Sequence, residues 1–319
     1  MPEKPFHKVR PHPLHAAPPS RGGETTAPHP TQGAYAELCV TSNFTFLTGA
    51  SHPEELIEQA AALGYHAIAV TDTNTMAGIV RAHVAAKRHG VRLIVGCRLR
   101  LLDPGVDVCV YPTDRAAYAR LCTLLTVGKR RAPKGECHLT LEDLTARASG
   151  LLGVVMPRES LGTPLEREGA GDFALVVERL QAVFEADALS LAAIRRFGPH
   201  DELHRAAVRD LAAATGVPLV ASNDVLYHIA SRRPLQDVVT CIRHGCTIHE
   251  AGFRLVANAE RHLKPGEEME RLFAEMPGAI ERSLEIARRT AGFALDQIKY
   301  QYPLETCPPE MTPTQYLRK

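Results

Sequence analysis

Segments typical of β-strands alternate with segments typical of helices along most of the chain. Apolar and polar residues alternate over residues 35–41, and residues 67–71 form an apolar run rich in β-branched side chains. Between them, residues 51–55 place a serine, a proline and two acids at a helix start, and Gly64 is typical of a helix end. The alternation continues to residues 217–222. It predicts an α/β fold with a mostly parallel sheet, and the number of repeats favours a distorted (β/α) barrel over an open sheet.

The sequence pattern divides the chain into three parts. Residues 1–34 contain much Pro, His, Gly, Ser and Thr and few apolar residues, which is typical of a disordered leader. Residues 35–230 carry the strand and helix alternation and are expected to form the α/β domain. Residues 231–319 have helical patterns without strand patterns, so a mostly helical extension is expected there. A new helix start at Thr312 predicts that the chain is truncated before a further domain.

The composition excludes several classes of function. The 37 basic residues nearly balance the 36 acidic ones, so any contact with nucleic acid must come from a local patch. Trp is absent and aromatic residues make up only 5%, which argues against a platform that stacks single-stranded bases. The eight cysteines include no C-x-x-C pair, and the sequence has no secretory signal and no long apolar run. These features predict a reduced, cytoplasmic protein without a membrane anchor.

Polar residues follow several of the predicted strands at their carboxyl ends. In parallel α/β folds these ends meet at one edge of the sheet, where functional groups gather. Four such ends are far apart in the sequence, so their convergence would build a single cleft. They are Cys39-Val-Thr41, Asp72-Thr73, Gly96-Cys-Arg98 and Asn223-Asp-Val-Leu226.

These strand ends resemble the motifs of the PHP (polymerase and histidinol phosphatase) domain of bacterial replicative polymerase alpha subunits. Ala36-Glu-Leu-Cys-Val-Thr-Ser-Asn-Phe-Thr-Phe-Leu-Thr-Gly-Ala-Ser51 resembles the opening motif H-x-H-S-x-x-S-x-L-D-G. Ala69-Val-Thr-Asp-Thr-Asn74 resembles T-D-H-G-N, and Val95-Gly-Cys-Arg98 resembles a G-x-E strand end. Ala221-Ser-Asn-Asp-Val-Leu-Tyr227 resembles T-N-D-V-H-Y. The motifs occur in the order that the family has.

The amino-acid sequences of three further segments resemble the error-prone branch of these polymerases: residues 51–56, 111–118 and 134–141. The resemblance covers about residues 35–319. It implies a PHP-type distorted barrel followed by a helical segment that leads to a polymerase palm beyond residue 319. The parent would be a DNA-directed DNA polymerase for damage-induced mutagenesis and translesion synthesis, with two Mg²⁺ ions in its palm. Implied partners are the palm and thumb, DNA, and other mutagenesis or replisome proteins. Whether this chain alone is an enzyme stays open.

The sequence departs from the family at the positions that bind metal. Active PHP sites use histidines and carboxylates to hold closely spaced divalent cations, which repel each other unless neutralised. Only Asp72 and Asp224 remain of the readable ligand positions. The resemblance therefore implies a vestigial site without metal-binding or catalytic residues. The other positions have lost their ligands and hold Cys39, Thr41, Thr48, Thr73, Arg98 and Leu226.

Two residues of the vestigial site each have two interpretations. Arg98 is permanently charged and only donates hydrogen bonds, so its guanidinium could replace the lost metal by pairing with Asp72 or Asp224. Alternatively, Arg98 points to solvent. Cys39 could be a thiolate activated by the Arg98 charge, or a small buried residue, and the absence of a nearby motif histidine favours the second.

A basic run supplies the candidate DNA contact. Lys129, Arg130, Arg131 and Lys134 are predicted to lie in a loop between two helices. They could contact DNA phosphates in a full polymerase or form an ordinary solvated loop. Two other functions remain as alternatives to the inert polymerase region: a metal-dependent phosphoesterase with an unusual ligand set, and a stand-alone interaction protein derived from the domain.

Overall fold

In a computed structural model of the chain, the described residues are 33–158, 161, 173–299, 308 and 310–318. Residues 1–32, and with them almost all of the predicted leader, lie outside the described residues. Beyond the two sheets described below, the helical parts begin and end as follows: α1 Pro53–Ala62, α2 Ile79–His89, α3 Arg115–Arg131, α4 Leu141–Thr145, α5 Phe173–Gln181, α6 Asp201–Thr215, α7 Arg233–His244, α8 Gly266–Leu272, α9 Pro277–Arg289 and α10 Pro313–Leu317.

The first three strands form a small parallel sheet. They are β1 (Ala36–Val40), β2 (Ala67–Val70) and β3 (Arg92–Val95), in that order across the sheet. The helices α1 and α2 connect them, as the alternation predicts. The predicted N-cap serine of α1 is one residue early, because His52 occupies the cap position and its backbone N–H donates to Glu55 at 2.9 Å. Ser51 instead contacts the His228 ring, with Oγ 2.7 Å from Nδ1.

The remaining strands form a six-stranded mixed sheet in the order β6-β4-β5-β7-β8-β9. Strand β5 pairs antiparallel with β4 and with β7, and the other neighbouring strands of this sheet pair in parallel. The strands are β4 (Cys97–Asp103), β5 (Val106–Pro112), β6 (Leu139–Thr140), β7 (Leu151–Met156), β8 (Leu189–Ile194) and β9 (Leu219–Ser222).

The α/β class is confirmed, but the described strands form two sheets and do not close into the predicted barrel. The second sheet is also mixed instead of mostly parallel, because the connection between β4 and β5 consists of Pro104 and Gly105 alone. Two residues can only reverse the chain into a hairpin, because a parallel crossover needs a dozen residues or more. Isolated bridges, Val40 with Val225 and Thr73 with Arg98, connect the two sheets beside the cleft.

Along the chain, Gly96 alone separates β3, the last strand of the first sheet, from β4 of the second sheet. A Cβ at this position would lie 2.8 Å from Cγ2 of Thr71 and 3.0 Å from Cδ1 of the Tyr111 ring. Glycine is therefore required for the close approach of the strands at this point. The residue that follows Gly96 by two, Arg98, is thereby placed at the edge where the predicted strand ends meet.

Helix α9 packs against β1 and β9. Its Ile286 and Ala287 are buried in the main core, and Oγ of Ser283 accepts a hydrogen bond from the backbone N–H of Ala36 at 3.4 Å. Beyond β9 the described residues form helices, turns and isolated bridges. Among the described helices, none has the length and apolar character needed to span a bilayer.

Candidate functional site

The four predicted strand ends meet in one place. The segment after β1 pairs with the segment after β9, because the N–H of Thr41 donates to the carbonyl of Val225 at 2.9 Å. The N–H of Val225 donates back to the carbonyl of Cys39 at 2.8 Å. The N–H of Arg98 donates to the carbonyl of Asp72 at 3.1 Å, which brings in the end of β2 and the start of β4. The predicted convergence is thus confirmed.

Asp224 lies at the centre of the site and is held by arginines. Its carboxylate accepts a hydrogen bond on one oxygen from Arg98 and on the other from Arg261. Arg261 also donates through Nε to the Asp224 carbonyl at 2.8 Å. A third guanidinium, that of Arg196, has Nη2 3.9 Å from Oδ2. The Asp224 backbone has φ of 46°, a left-handed conformation that Asp tolerates better than most residues.

The three guanidiniums determine the charge of Asp224. Burial alone raises the pKa of the Asp224 carboxyl, because it disfavours the charged form. The charges of Arg261, Arg98 and Arg196 outweigh burial and hold this pKa well below its ordinary range. The site therefore contains a permanent carboxylate that is neutralised by fixed side-chain cations.

Asp72 does not take part in this ion pair. Its carboxylate accepts four hydrogen bonds from the loop after β1: from the N–H and Oγ of Ser42 at 2.8 and 2.7 Å, and from the N–H and Oγ1 of Thr45 at 3.1 and 2.8 Å. Burial raises the pKa of Asp72, and these hydrogen bonds only partly offset the rise. Asp72 thus fixes the loop conformation instead of presenting a free carboxylate to the cleft.

The structure contains the predicted pairing of the Arg98 side chain with Asp224. That this guanidinium replaces a lost metal ion stays a prediction. The alternative prediction, that the Arg98 side chain pairs with Asp72, is wrong. The contact between these two residues is made by the Arg98 backbone N–H, which donates to the Asp72 carbonyl. The interpretation that Arg98 points to solvent is also wrong, because 11% of its side chain is exposed.

Cys39 is a buried thiol. Its Sγ lies 3.6 Å from Sδ of Met156 and 4.0 Å from the hydroxyl of Tyr111. A hydrogen bond with Cys109 and burial raise the pKa of Cys39 well above its ordinary value, and the Arg98 charge opposes the rise too weakly to reverse it. The environment supports the interpretation of Cys39 as a packing residue and not as a reactive thiolate.

The other vestigial positions have structural contacts. Thr41 and Leu226 are buried. Thr48 accepts a hydrogen bond from Nη1 of Arg243 at 2.7 Å, and the N–H of Thr73 donates to Oγ1 of Thr45 at 2.9 Å. Among the described residues, no three or more His, Cys, Asp and Glu side chains are placed to hold a metal ion. The described donor set does not fit the cation cluster of an active PHP site, which requires several free anionic ligands.

Sequence reasoning missed two of the three arginines around Asp224. Arg196 follows the carboxyl end of β8, so the rule that selected the other strand ends could have found it. Arg261 lies between α7 and α8, in a segment without regular periodicity. Residues 258–263 also resemble the same polymerases, and this resemblance is the sequence signal that could have directed attention to Arg261.

Glu37 was also missed, although it is fully buried behind the site. Its carboxylate accepts hydrogen bonds from the hydroxyls of Tyr35 at 2.8 Å and Ser222 at 2.6 Å. Three backbone N–H groups also donate to it, those of Leu38, Cys39 and Asn223, at 2.9 to 3.0 Å. Burial raises its pKa despite these bonds. Glu37 thus ties β1 to the segment that carries Asp224.

The predicted DNA-contact loop is partly helical. Lys129, Arg130 and Arg131 form the last turn of α3, and only Lys134 lies in the following loop. Arg131 forms a two-pronged ion pair with Asp143, with N–O distances of 2.6 and 2.9 Å. This pair lowers the pKa of Asp143. Lys129, Arg130 and Lys134 are exposed.

Residues 37–193 of the chain match the PHP domain family. Over 286 residues it is 51% identical to error-prone DNA polymerase 1 of Agrobacterium fabrum, and over 283 residues it is 48% identical to the error-prone DNA polymerase of Caulobacter vibrioides. Each match covers 89% of this chain and 25% of the polymerase. The chain thus corresponds to the PHP-containing region of error-prone DNA polymerases and spans about a quarter of their length.

Among solved structures, an amidohydrolase from Chromobacterium violaceum overlaps with a TM-score of 0.43 at 17% identity. The overlap covers 60% of this chain and 88% of the amidohydrolase. A likeness of this extent adds no functional information.

Proposed function

We propose that this chain is a catalytically inert, structural PHP region of an error-prone DNA polymerase that acts in damage-induced mutagenesis and translesion synthesis. The observation that carries the proposal is the pairing of Asp224 with Arg98 and Arg261. A guanidinium supplies a fixed positive charge but has no lone pair to offer a metal and no exchangeable water to activate. The arginines thus preserve the shape of the site without its hydrolytic chemistry.

A chimera tests this proposal. The matching quarter of the Agrobacterium fabrum polymerase would be replaced by this chain, and primer extension on damaged templates would be measured with Mg²⁺, which the polymerase part would hold. We expect the chimera to extend primers and a polymerase lacking the region to lose activity. Asp72→Asn and Asp224→Asn should leave the extension rate of chimeras that remain folded unchanged. Loss of extension in a variant with an unaltered melting temperature would contradict inertness.

An apolar face on α7 supports the remainder of the polymerase as the partner. Leu235, Val238 and Ile242 follow helical spacing along one side and are 42, 51 and 61% exposed. Ile248 borders the same groove as Val238 and Ile242 beyond the helix and is 48% exposed. Contiguous exposed apolar side chains mark interaction sites. Because the relatives are about four times as long as the chain, their additional segments are the occupant that we propose for this α7 face.

The uncovered α7 face should make the isolated chain self-associate. We expect its apparent mass in size-exclusion chromatography with light scattering to rise with protein concentration. Ile242→Lys should restore a concentration-independent monomer, because it places a charge within the apolar face. Val80→Lys is the matched control: Val80 is 62% exposed on α2, away from this face, and its replacement should change nothing. A wild-type chain that stays monomeric at every concentration would refute the prediction.

The exposed cations at the end of α3 are the candidate DNA contact. In the chimera, Ala at Lys129, Arg130 and Lys134 should weaken DNA binding at low salt. Each phosphate contact contributes about 0.9 to the slope of log affinity against log salt, so the triple variant should reduce this slope by about 3. Arg131 stays in place because its pair with Asp143 supports the fold. An unchanged affinity and slope would assign these cations to an ordinary solvated surface.

A further inference from the structure

Two cysteines are brought together at the end of α7 by the way the helix terminates. Gly245 has φ of 61°, a conformation that glycine adopts at low cost. Its N–H donates to the carbonyl of Ile242 at 3.2 Å, and the N–H of Cys246 donates to the carbonyl of Cys241 at 3.1 Å. These two bonds define a Schellman ending. In this motif the side chains of the two residues joined by the bond that spans more of the chain, here Cys241 and Cys246, come into contact. Here both of those side chains are thiols.

Both thiols border an open groove of about 430 Å³. Val238, Ile242 and Ile248 complete its apolar walls. Cys246 is partly exposed, whereas Cys241 is buried at its base. This distinguishes the pair from the thiols near the vestigial site, such as Cys39 and Cys109, which are fully buried in the core. A small reagent can therefore reach the α7 pair from solvent.

We propose that Cys241 and Cys246 form an oxidisable dithiol, a modification site for peroxides and for trivalent arsenicals. A disulfide requires two cysteines whose Cβ atoms lie close together, and the Schellman ending provides this proximity without unfolding the helix. A trivalent arsenical would be bridged by the same two sulfurs. The inference concerns the chain on its own, in which the α7 face borders solvent.

The oxidation proceeds in two balanced steps. Cys246, the more exposed thiol, attacks an oxygen of hydrogen peroxide as its thiolate; the O–O bond breaks, and a sulfenic acid and one water form. The Cys241 sulfur then attacks the sulfenic sulfur, so that an S–S bond forms, the S–O bond breaks and a second water leaves. The two thiols lose two hydrogens in total, and the peroxide is reduced to two waters.

Peptide mapping tests the proposal, because trypsin cleaves after Arg243, between the two cysteines. Reduced protein gives separate peptides 233–243 and 244–254. After treatment of the native chain with hydrogen peroxide, we expect one linked species that is lighter than their sum by two hydrogens. Separately, one equivalent of phenylarsine oxide should protect both cysteines from alkylation. Cys246→Ser should abolish both the linked species and the protection.

Cys122→Ser provides the matched control, since Cys122 is a partly exposed thiol on another helix. This variant should retain the linked species and the arsenical protection in full. The proposal would be overturned if Cys241 and Cys246 stayed alkylatable under conditions that oxidise Cys122. It would equally be overturned if either cysteine formed its disulfide mainly with another cysteine of the chain or with a second molecule. Circular dichroism of Cys246→Ser would verify that the variant is folded.

Discussion

Arg98→Met should lower the free energy of unfolding by roughly 3 kcal/mol, because it removes one partner of a buried ion pair. The Arg98 side chain is 11% exposed and that of Asp224 is 4% exposed, so water cannot replace the lost guanidinium. Arg261 and Arg196 would still face the carboxylate, which places the expected loss at the lower end of the range for broken buried pairs. Urea unfolding at neutral pH measures the change.

Arg100→Met is the matched control for this prediction. Arg100 lies on the same strand, its side chain is 60% exposed, and it pairs with Asp107. Removal of this surface pair should cost less than about 1 kcal/mol. The losses caused by Arg98→Met and Asp224→Asn should be less than additive in the double variant, since both substitutions remove the same ion pair. Equal effects of the Arg98 and Arg100 substitutions would contradict the account of the site.

The pH dependence should identify the same carboxylate. Because the folded-state pKa of Asp224 is depressed, its ion pairs stabilise the protein fully above the unfolded-state pKa of about 3.9. This contribution is lost as the pH falls below that value. The stability difference between wild type and Asp224→Asn should therefore be constant near neutral pH and shrink in acid. A difference that stayed the same down to the acid transition would assign the effect to packing.

Glu37→Leu should be the most damaging single substitution. It would remove the acceptor of five hydrogen bonds, of which the Tyr35 hydroxyl keeps a second acceptor in the carbonyl of Ala221 at 3.4 Å. Each buried donor left unsatisfied costs about 1–3 kcal/mol. Even partial relaxation leaves a loss on the order of 5 kcal/mol, which is comparable to the whole stability of many domains. We expect the variant to lose its near-ultraviolet circular dichroism and its cooperative urea transition.

Glu58→Leu is the control for Glu37→Leu, because it makes the same chemical change at an exposed position on α1. It should leave both the circular dichroism and the urea midpoint close to those of the wild type. Cooperative unfolding of Glu37→Leu at the wild-type midpoint would show that the hydrogen-bond centre behind the site contributes little to the fold.

The sequence predicts the α/β class and the meeting of the strand ends because both depend on local patterns. Alternation of strands and helices is visible along the chain, and polar residues mark where strands such as β2 and β9 end. The distorted barrel was predicted from the number of repeats, which does not determine whether the sheets close. The two-residue Pro104-Gly105 connection was a signal for a mixed sheet, because it reverses the chain and places β5 antiparallel to its neighbours.

The site is predictable only in the residues that its motifs contain. Arg98 and Asp224 occupy motif positions, so their pairing could be proposed before the fold was known. Arg261 reaches the site from an irregular segment, where no periodicity indicates which way a side chain points. Glu37 lies in a strand whose five residues are all buried, so the usual expectation that a charged strand residue faces solvent fails. Long-range packing decides both cases.

The central claim is that arginines replace divalent cations in the cleft, and metal analysis tests it most directly. The purified, untagged chain would be equilibrated with Mn²⁺ or Zn²⁺, dialysed, and analysed beside Asp72→Asn and Asp224→Asn. The account predicts that wild type and both variants retain the same metal content and show no metal-stimulated phosphoesterase activity. Two or more tightly bound ions in the wild type that either variant loses, accompanied by such activity, would contradict it.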